Sequence, residues 1–174
     1  MSLDDINVWV IDSSALIEMK LIVPVNQQWA AFRHLEQMVS DGSIALPRHV
    51  INEVGHMTHP DMPGAWATGM RDRSPHSPQA DYAYLCHVMK VSGDVVDVNK
   101  ASEDADPWVL ALALQLQESM LLKICVVTED TVDRNRISMI TACERLNLRS
   151  CQIRDFLDHC GITMRSAPPN PEDA

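Results

Sequence analysis

The sequence predicts an α/β protein whose parallel sheet is covered by helices on both faces. Short apolar runs alternate with segments of helical periodicity along the 174 residues of the chain. Continuous apolar runs such as Asn7–Ile11 and Lys123–Thr128 are typical of strands that are buried on both faces. Strands that alternate with helices favour parallel neighbours joined by crossover connections. We expect one domain over residues 1–164, because an apolar content of 46% suffices for a sizeable core.

Two helices and a short strand are expected after the opening strand. The first helix covers Ala15–Met19, where Ser13 or Ser14 can provide the N-cap. Apolar residues recur at helical spacing in Gln27–Val39, which predicts the second helix. Ser43–Leu46 follows as a short strand.

The middle of the chain is expected to hold helices and one long connection. Pro47 fits the first turn of a helix that runs to about Met57. Four prolines and two glycines in His59–Pro78 indicate a long connection with one broken helix. Gln79–Val91 is interpreted as a helix, and the apolar segment Val95–Val98 as a short strand.

The last third of the chain returns to regular alternation. Asp106 is expected to cap a helix that has proline at its first position and runs to about Met120. The elements expected after it are a strand at Lys123–Thr128, a helix at Ile137–Leu146, a strand at Ser150–Ile153 and a helix at Arg154–His159. The tail Arg165–Ala174, with three prolines and no apolar pattern, is expected to be disordered.

The bulk composition restricts the classes of function. A net charge of −10 and a pI near 5.0 suit a soluble cytoplasmic protein and argue against nucleic-acid binding through an overall positive field. The five cysteines form no C-x-x-C pair, so we expect most of them to be small buried side chains in a reducing compartment. Met1–Asn7 lacks the basic start of a secretory signal, and the longest apolar stretch, Trp108–Leu114, is too short to span a membrane.

Four acidic residues stand where an open α/β sheet gathers ligands, beyond the carboxyl ends of its strands. Asp12 directly follows the first predicted strand, Asn7–Ile11, and Asp130 follows the predicted strand Lys123–Thr128. Asp106 opens a helix, and helices that follow parallel strands begin at that same edge. Glu53 borders the apolar face of the helix after the second strand, and this position allows it to point toward the edge.

Convergence of these carboxylates predicts a metal site. Two carboxylates 4 Å apart repel each other by about 4 kcal/mol at an effective dielectric constant near 20. Mg²⁺ or Mn²⁺ removes that conflict, since both prefer oxygen ligands and keep several waters. The hydroxyls of Ser13 and Thr128 are positioned to support the surrounding network.

Each acidic residue also has a purely structural interpretation. Asp106 is a good N-cap, and capping and metal binding are compatible because the carboxylate has two oxygens. Asp12 fits a simple Asx-turn, Glu53 a solvated helix position, and Asp130 a turn capped together with Asp133. With 24 acidic residues in the chain, some fall at suggestive positions by chance.

Three segments resemble the signature segments of the PIN-domain family. They are Val10-Ile11-Asp12-Ser13-Ser14, the Ala/Leu-rich run from Asp106 to Ala113, and Val126-Val127-Thr128-Glu129-Asp130. Glu53, in the helix after the second strand, matches the second acidic position of the family. The order and spacing agree over roughly residues 6–160, and the segment from Arg136 to Leu157 resembles an uncharacterised bacterial branch of PIN proteins.

The resemblance implies a Rossmann-like three-layer α/β/α sandwich around a parallel sheet of four or five strands. It also implies a Mg²⁺- or Mn²⁺-dependent endoribonuclease of the kind found in VapC-type toxins, which pair with an antitoxin. Asp12, Glu53, Asp106 and Asp130 would then be the catalytic metal ligands. The nearest substitutes are Asp104 and Glu129.

The leading hypothesis is therefore a dimeric ribonuclease toxin in which Arg134 and Arg136 contact RNA phosphates. A catalytically silent PIN-like module that binds RNA or protein is the first alternative. A metal-dependent phosphatase acting on small phosphoesters is the second. Arg145 and Arg149 are interpreted instead as parts of solvated helix faces.

Two further groups of residues are candidates for sites. Five histidines invite a zinc hypothesis, in which His56 and His59 are the best-spaced pair, but no motif places a third ligand. Large apolar side chains at helical spacing are interpreted as core, with an exposed subset available for a dimer or antitoxin contact. These residues are Trp29, Met38, Trp66 and Met70.

Overall fold

The protein, represented by a computed structural model, contains a four-stranded sheet. The structure describes residues 3–56, 61–97, 104–130 and 136–165. The strands are β1 (Val8–Ile11), β2 (Ile44–Ala45), β3 (Ile124–Val127) and β4 (Arg149–Cys151). Their order is β2-β1-β3-β4, and every neighbouring pair is parallel. The prediction of a parallel α/β sheet is confirmed, with four strands.

Helices connect and flank these strands. They are α1 (Ser13–Ile22), α2 (Val25–Asp41), α3 (Arg48–Gly55), α4 (Met62–Gly69), α5 (Tyr82–Ser92), α6 (Asp106–Ser119), α7 (Met139–Arg145) and α8 (Ile153–His159). A short 3₁₀ turn, Gly93–Val95, follows α5. The helix α4 lies in the proline-rich stretch, where the sequence predicts one broken helix.

The three layers follow from the strand order. Helix α6 packs across β1 and β3 and against α7, whereas α1 packs against α8. Parallel crossovers are right-handed. The connection from β1 to β2 runs toward one edge of the sheet, whereas the connections from β2 to β3 and from β3 to β4 run toward the other edge. The helices of these two sets of connections therefore lie on opposite faces of the sheet. On one face, Trp9 of β1 meets Phe156 of α8 with ring centroids 5.0 Å apart. The result is an α/β/α sandwich with β1 and β3 at its centre.

The strand register brings two polar residues together at the carboxyl edge of the sheet. Ile11 of β1 pairs with Val127 of β3, so the residues that follow them, Asp12 and Thr128, also lie side by side. The N–H of Asp12 donates to the carbonyl of Val127 at 3.0 Å, which continues the ladder one residue beyond the strand. Both Asp12 and Thr128 are buried.

Three expected features differ from the structure. The N-cap of α1 is Asp12 itself, and neither Ser13 nor Ser14 has that role. Helix α6 begins at Asp106 with Ala105 as its N-cap, so the prediction that Asp106 caps this helix is wrong. The Asp106 carboxylate instead pairs with the partly buried guanidinium of Arg136, and this ion pair takes the place of the local capping interaction.

The strand expected at Val95–Val98 is also absent from the described part of this segment, which ends at Asp97. Val95 closes the 3₁₀ turn and is buried beneath α5, so its apolar character reflects burial and not pairing in the sheet. The expected tail lies outside the described residues except for Arg165, whose N–H donates to the carbonyl of Ile22 at 2.7 Å.

The expectations for cysteine and large apolar residues are met in part. Cys125 and Cys143 are buried, whereas Cys86 is exposed, and all five cysteines are free thiols. Trp66 and Met70 are core residues and Met38 is partly buried, but Trp29 is 67% exposed. Among the described residues, none of the helices has the length and apolar character needed to cross a membrane.

Candidate functional site

Asp12 is the most completely enclosed acidic residue of the site. Its Oδ1 accepts the N–H of Ser13 at 2.6 Å, and its Oδ2 accepts the hydroxyls of Ser14 at 2.6 Å and Thr128 at 3.0 Å. Only 2% of the residue is exposed. Three donors therefore fix the orientation of this carboxylate before any ligand binds.

Glu53 reaches the same edge from α3. Its Oε2 accepts the hydroxyl of Ser13 at 2.5 Å. Ser13 thus contacts both acidic groups, through its backbone N–H to Asp12 and through its side chain to Glu53. The expectation that Glu53 points toward the edge of the sheet is confirmed.

Two hydroxyls link Asp12 to the loop that follows β3. Thr128 donates to Asp12 and accepts the N–H of Asp130 at 3.1 Å. Ser14 donates to Asp12 and accepts the N–H of Glu129 at 3.0 Å. Each hydroxyl therefore serves as donor and acceptor at once, and together they fix the loop that carries Asp130.

Asp106 and Asp130 are joined by Arg136. The Nη1 of Arg136 lies 2.5 Å from Oδ2 of Asp106, and its Nη2 lies 2.6 Å from Oδ1 of Asp130. The second oxygen of Asp130 accepts the N–H of Met139, the first residue of α7, at 2.9 Å. One guanidinium therefore bridges an acidic residue at the start of α6 and another after β3.

The surroundings raise the pKa values of two of these carboxyls. Burial is the main cause for Asp12, and the negative charge of Glu53 adds to it, while the hydrogen bonds to its oxygens lower the pKa. Burial likewise raises the pKa of Asp106 to about 8, with further contributions from Asp12, Asp104 and Asp130. Arg136 acts in the opposite direction on Asp106. These mutual effects show that the acidic residues belong to one electrostatic cluster.

The two substitute residues have different places. Asp104 is buried beside the cluster, raises the pKa of Asp106 and accepts the N–H of Asp97 at 2.9 Å. Glu129 turns away, because its Oε1 accepts the N–H of Ile153 at the start of α8 at 2.9 Å. Asp104 is thus a fifth acidic residue of the site, whereas Glu129 accepts a hydrogen bond at the start of α8 and stabilises that helix end.

The donors of the cluster suit a hard divalent cation, since carboxylate oxygens are the ligands that Mg²⁺ and Mn²⁺ prefer. Two of these carboxylates, Asp106 and Asp130, are bridged by Arg136. Over the described ranges, no three His, Cys, Asp or Glu side chains are placed to hold one metal ion.

The histidines proposed for zinc do not form a cluster in the described part of the chain. His49 stacks on Trp108 with ring centroids 4.2 Å apart, and the ring of His76 hydrogen-bonds the carbonyl of Gly42 at 2.8 Å. His59 lies outside the described residues.

The arginines fall into two groups. Arg136 reaches the acidic cluster, and Arg134 lies outside the described residues. Arg145 of α7 and Arg149 of β4 form partly exposed ion pairs with Asp94 and Asp5. The solvated helix face is confirmed for Arg145, whereas Arg149 lies on a strand and not on a helix. Ser14 was not expected to contact Asp12, although its hydroxyl donates a hydrogen bond to the Asp12 carboxylate. The two consecutive serines directly after Asp12 were the sequence feature that could have indicated this contact.

The fold and the site together define an α/β/α protein with a partly buried acidic cluster at the carboxyl edge of its parallel sheet. The chain belongs to the family described as Domain of unknown function (DUF4411), whose profile matches residues 9–164. No curated protein matches the sequence.

One solved structure found by comparison is that of PAE2754 from Pyrobaculum aerophilum. It is 14% identical to the chain, with a TM-score of 0.45, and the match covers 93% of this chain and 100% of that one.

Proposed function

We propose that the protein is a metal-dependent endoribonuclease that cleaves phosphodiester bonds in RNA. The observation that carries the proposal is the hydrogen-bonded connection of Asp12 to Glu53 through Ser13 and to Asp130 through Thr128. Arg136 extends this connection from Asp130 to Asp106. Four acidic residues from distant parts of the chain are thereby held at the edge where open α/β sheets bind ligands.

The proposed chemistry needs positive charge among these carboxylates. Mg²⁺ or Mn²⁺, if bound there, would supply it and would activate water as a nucleophile at neutral pH. Asp12 is the first candidate ligand, because three hydrogen bonds orient it in advance. Glu53, Asp106 and Asp130 complete the proposed ligand set around it.

The chain also provides a group for the substrate phosphate. The side chain of Arg136 is 19% exposed, and its planar guanidinium matches the oxygens of a phosphate. We propose that Arg136 contacts RNA in the active protein. Arg134 retains the same proposed role, although it lies outside the described residues.

A second candidate function is a catalytically silent module that uses the same edge to bind RNA or protein. The observation that favours it is the bridge that Arg136 makes between Asp106 and Asp130. A guanidinium in that place neutralises carboxylates without providing an activated water. The two functions differ in whether a divalent cation enters the cluster.

We propose that the ribonuclease is the toxin of a toxin–antitoxin pair and forms a homodimer. Support comes from four exposed apolar side chains on α1 and α2, here called the apolar surface: Ile17, Leu21, Val25 and Trp29, whose exposed fractions are 49%, 55%, 73% and 67%. Trp29 also lines a cavity of about 220 Å³ beside Trp66 of α4. Exposed apolar area of this kind is typical of protein contacts.

The test of the proposed function is cleavage of single-stranded RNA in the presence of Mn²⁺. The wild-type protein is compared with Asp12→Asn, Asp106→Asn and the control Glu118→Gln, an exposed acidic residue near the other end of α6. We expect cleavage by the wild type and the control, and none by the other two variants, with all four proteins folded by circular dichroism. Equal cleavage by all four proteins, or by none of them, rejects the proposal.

A further inference from the structure

A groove lined by aromatic side chains, here called the aromatic groove, runs between α2 and α4. Trp29 and Phe32 of α2 form one wall, and Met62 and Trp66 of α4 form the other. The ring centroids of Phe32 and Trp66 lie 5.4 Å apart, whereas Trp29 is 67% exposed. Covering an exposed side chain of this size removes a large apolar area from water, which favours binding of an apolar segment along the groove.

Basic side chains lie at one end of the aromatic groove. Glu36, one helical turn beyond Phe32, pairs with both Arg33 and Arg73. Two arginines against one glutamate leave a net positive charge there. The arginine side chains are 63% and 54% exposed, so both are accessible to a further acidic group. The groove therefore changes along α2 from aromatic walls to a positively charged end.

The other end of the aromatic groove lies beside the point where the described chain ends. The N–H of Arg165 donates to the carbonyl of Ile22, the last residue of α1, at 2.7 Å. Two residues before Ile22, Lys20 pairs with Asp61, the N-cap of α4, at 2.7 Å. The amide of Gln28, in the first turn of α2, donates to the carbonyl of Lys20 at 2.7 Å. These contacts place Arg165 at the end of the groove where α2 and α4 begin.

The sequence beyond Arg165 matches the aromatic groove in chemistry and in order. It reads Ser-Ala-Pro-Pro-Asn-Pro-Glu-Asp-Ala, so three prolines come first and two acidic residues follow. Proline-rich segments favour the polyproline II helix, which aromatic-lined grooves bind. At about 3.1 Å per residue, residues 166–174 can span about 28 Å. Because α2 rises only about 10 Å from Trp29 to Glu36, this segment is long enough to reach the arginines.

We propose that residues 166–174 bind in the aromatic groove of the same chain. The prolines pack against Trp29 and Trp66, and the acidic residues that follow them pair with Arg33 and Arg73. Trp29 also belongs to the apolar surface, so the bound segment competes there with a second copy of the chain. The inference is independent of the proposed ribonuclease function, because it involves neither the acidic cluster nor RNA.

Fluorine NMR of the full chain labelled with 5-fluorotryptophan reports on the aromatic groove. The chain has four tryptophans, and two of them line the groove, Trp29 and Trp66. The other two, Trp9 and Trp108, are buried elsewhere and serve as internal references. Trp29→Phe and Trp66→Phe each remove one signal and so assign the groove signals.

The first test removes the apolar part of the segment. A serine variant, in which the prolines of the segment are replaced together, should shift the signals of Trp29 and Trp66 and leave those of Trp9 and Trp108 in place. The control Asn170→Ser changes the same segment without loss of a proline or a charge, and should leave all four signals unchanged. The replaced residues are Pro168, Pro169 and Pro171.

The second test reverses the charge pairing. Arg33→Glu repels the acidic residues of the segment, so the Trp29 signal should shift in the same direction as in the serine variant. Adding Glu172→Arg to this variant should return the signal toward its wild-type position. The control Arg71→Glu makes the same charge change at an arginine that bonds to Asn52 and does not line the groove, and should leave the Trp29 signal in place.

Three results would overturn the inference. The first is a serine variant whose Trp29 and Trp66 signals match those of the wild type. The second is an equal shift of the Trp29 signal in Arg33→Glu and Arg71→Glu. The third is a change of the wild-type Trp29 signal on dilution that is lost in the serine variant, because it assigns the segment to the groove of a second copy. None of these signals depends on Asp12, so the proposed ribonuclease function is tested separately.

Discussion

The hydroxyl of Thr128 donates to Oδ2 of Asp12 at 3.0 Å, although the two residues are 116 positions apart in the sequence. The contact follows from the register of β1 and β3, which aligns the first residue beyond each strand. Thr128 also accepts the N–H of Asp130. A single side chain therefore sets the orientation of one acidic residue and the loop conformation at another.

Replacing Thr128 with valine tests this coupling. Valine keeps the shape and the β-branch but removes both the donor to Asp12 and the acceptor for Asp130. We expect Mn²⁺ affinity or RNA cleavage to fall by about 10- to 100-fold, as is usual for groups that orient metal ligands. The control is Thr68→Val, because the Thr68 hydroxyl bonds to the carbonyl of Gly64 in its own helix. Equal losses in both variants contradict this role for Thr128.

The raised pKa of Asp106 predicts how stability depends on pH in metal-free protein. Its pKa is about 8 in the folded protein, against an ordinary value of 3.8 for the unfolded chain, so the folded protein binds the extra proton between these values. Stability should therefore fall as the pH rises from about 4 to 8, because deprotonation favours the unfolded chain in this window. Asp106→Asn should flatten this part of the profile. Urea unfolding at a series of pH values with chelator present measures the effect, and an unchanged slope in the variant contradicts it.

The core beneath the site should be sensitive to truncation. Leu110 of α6 is fully buried, so Leu110→Ala should lower the free energy of unfolding by about 2–5 kcal/mol. The control Leu21→Ala removes the same atoms from a side chain that is 55% exposed, and should change stability by about 0.5 kcal/mol or less. Chemical denaturation compares the two variants. Similar losses would contradict the tight packing of α6 against the sheet.

The apolar surface on α1 and α2 predicts the site of self-association. Trp29→Asp places a charge among these side chains and should weaken a homodimer by about tenfold or more, as measured by sedimentation velocity. The matched control is Tyr82→Asp, because Tyr82 is similarly exposed, at 66% against 67% for Trp29, and lies on α5. A wild-type protein that sediments as a monomer, or equal weakening in both variants, rules out this surface as a dimer interface.

Much of this arrangement was predictable from sequence because it depends on local pattern and topology. Apolar runs identified β1 and β3, and parallel strands necessarily bring the residues that follow them to one edge. Asp12 and Asp130 were found in this way. Glu53 was found because helical periodicity places it beside the buried face of α3.

The remaining features depend on long-range contacts that no local pattern encodes. Asp106 has every local sign of an N-cap, but its carboxylate binds Arg136, 30 residues later in the chain. Ser14 supports Asp12 because the loop after β3 supplies an N–H to its hydroxyl. Trp29 has the periodicity of a core residue, but the described helices do not cover that end of α2.

The most direct test of the central claim is anomalous diffraction from crystals grown with Mn²⁺. The proposed function predicts an anomalous peak bonded to Asp12, with Asp106 or Asp130 as a further ligand. The absence of an anomalous peak at Asp12 at saturating Mn²⁺ would contradict it.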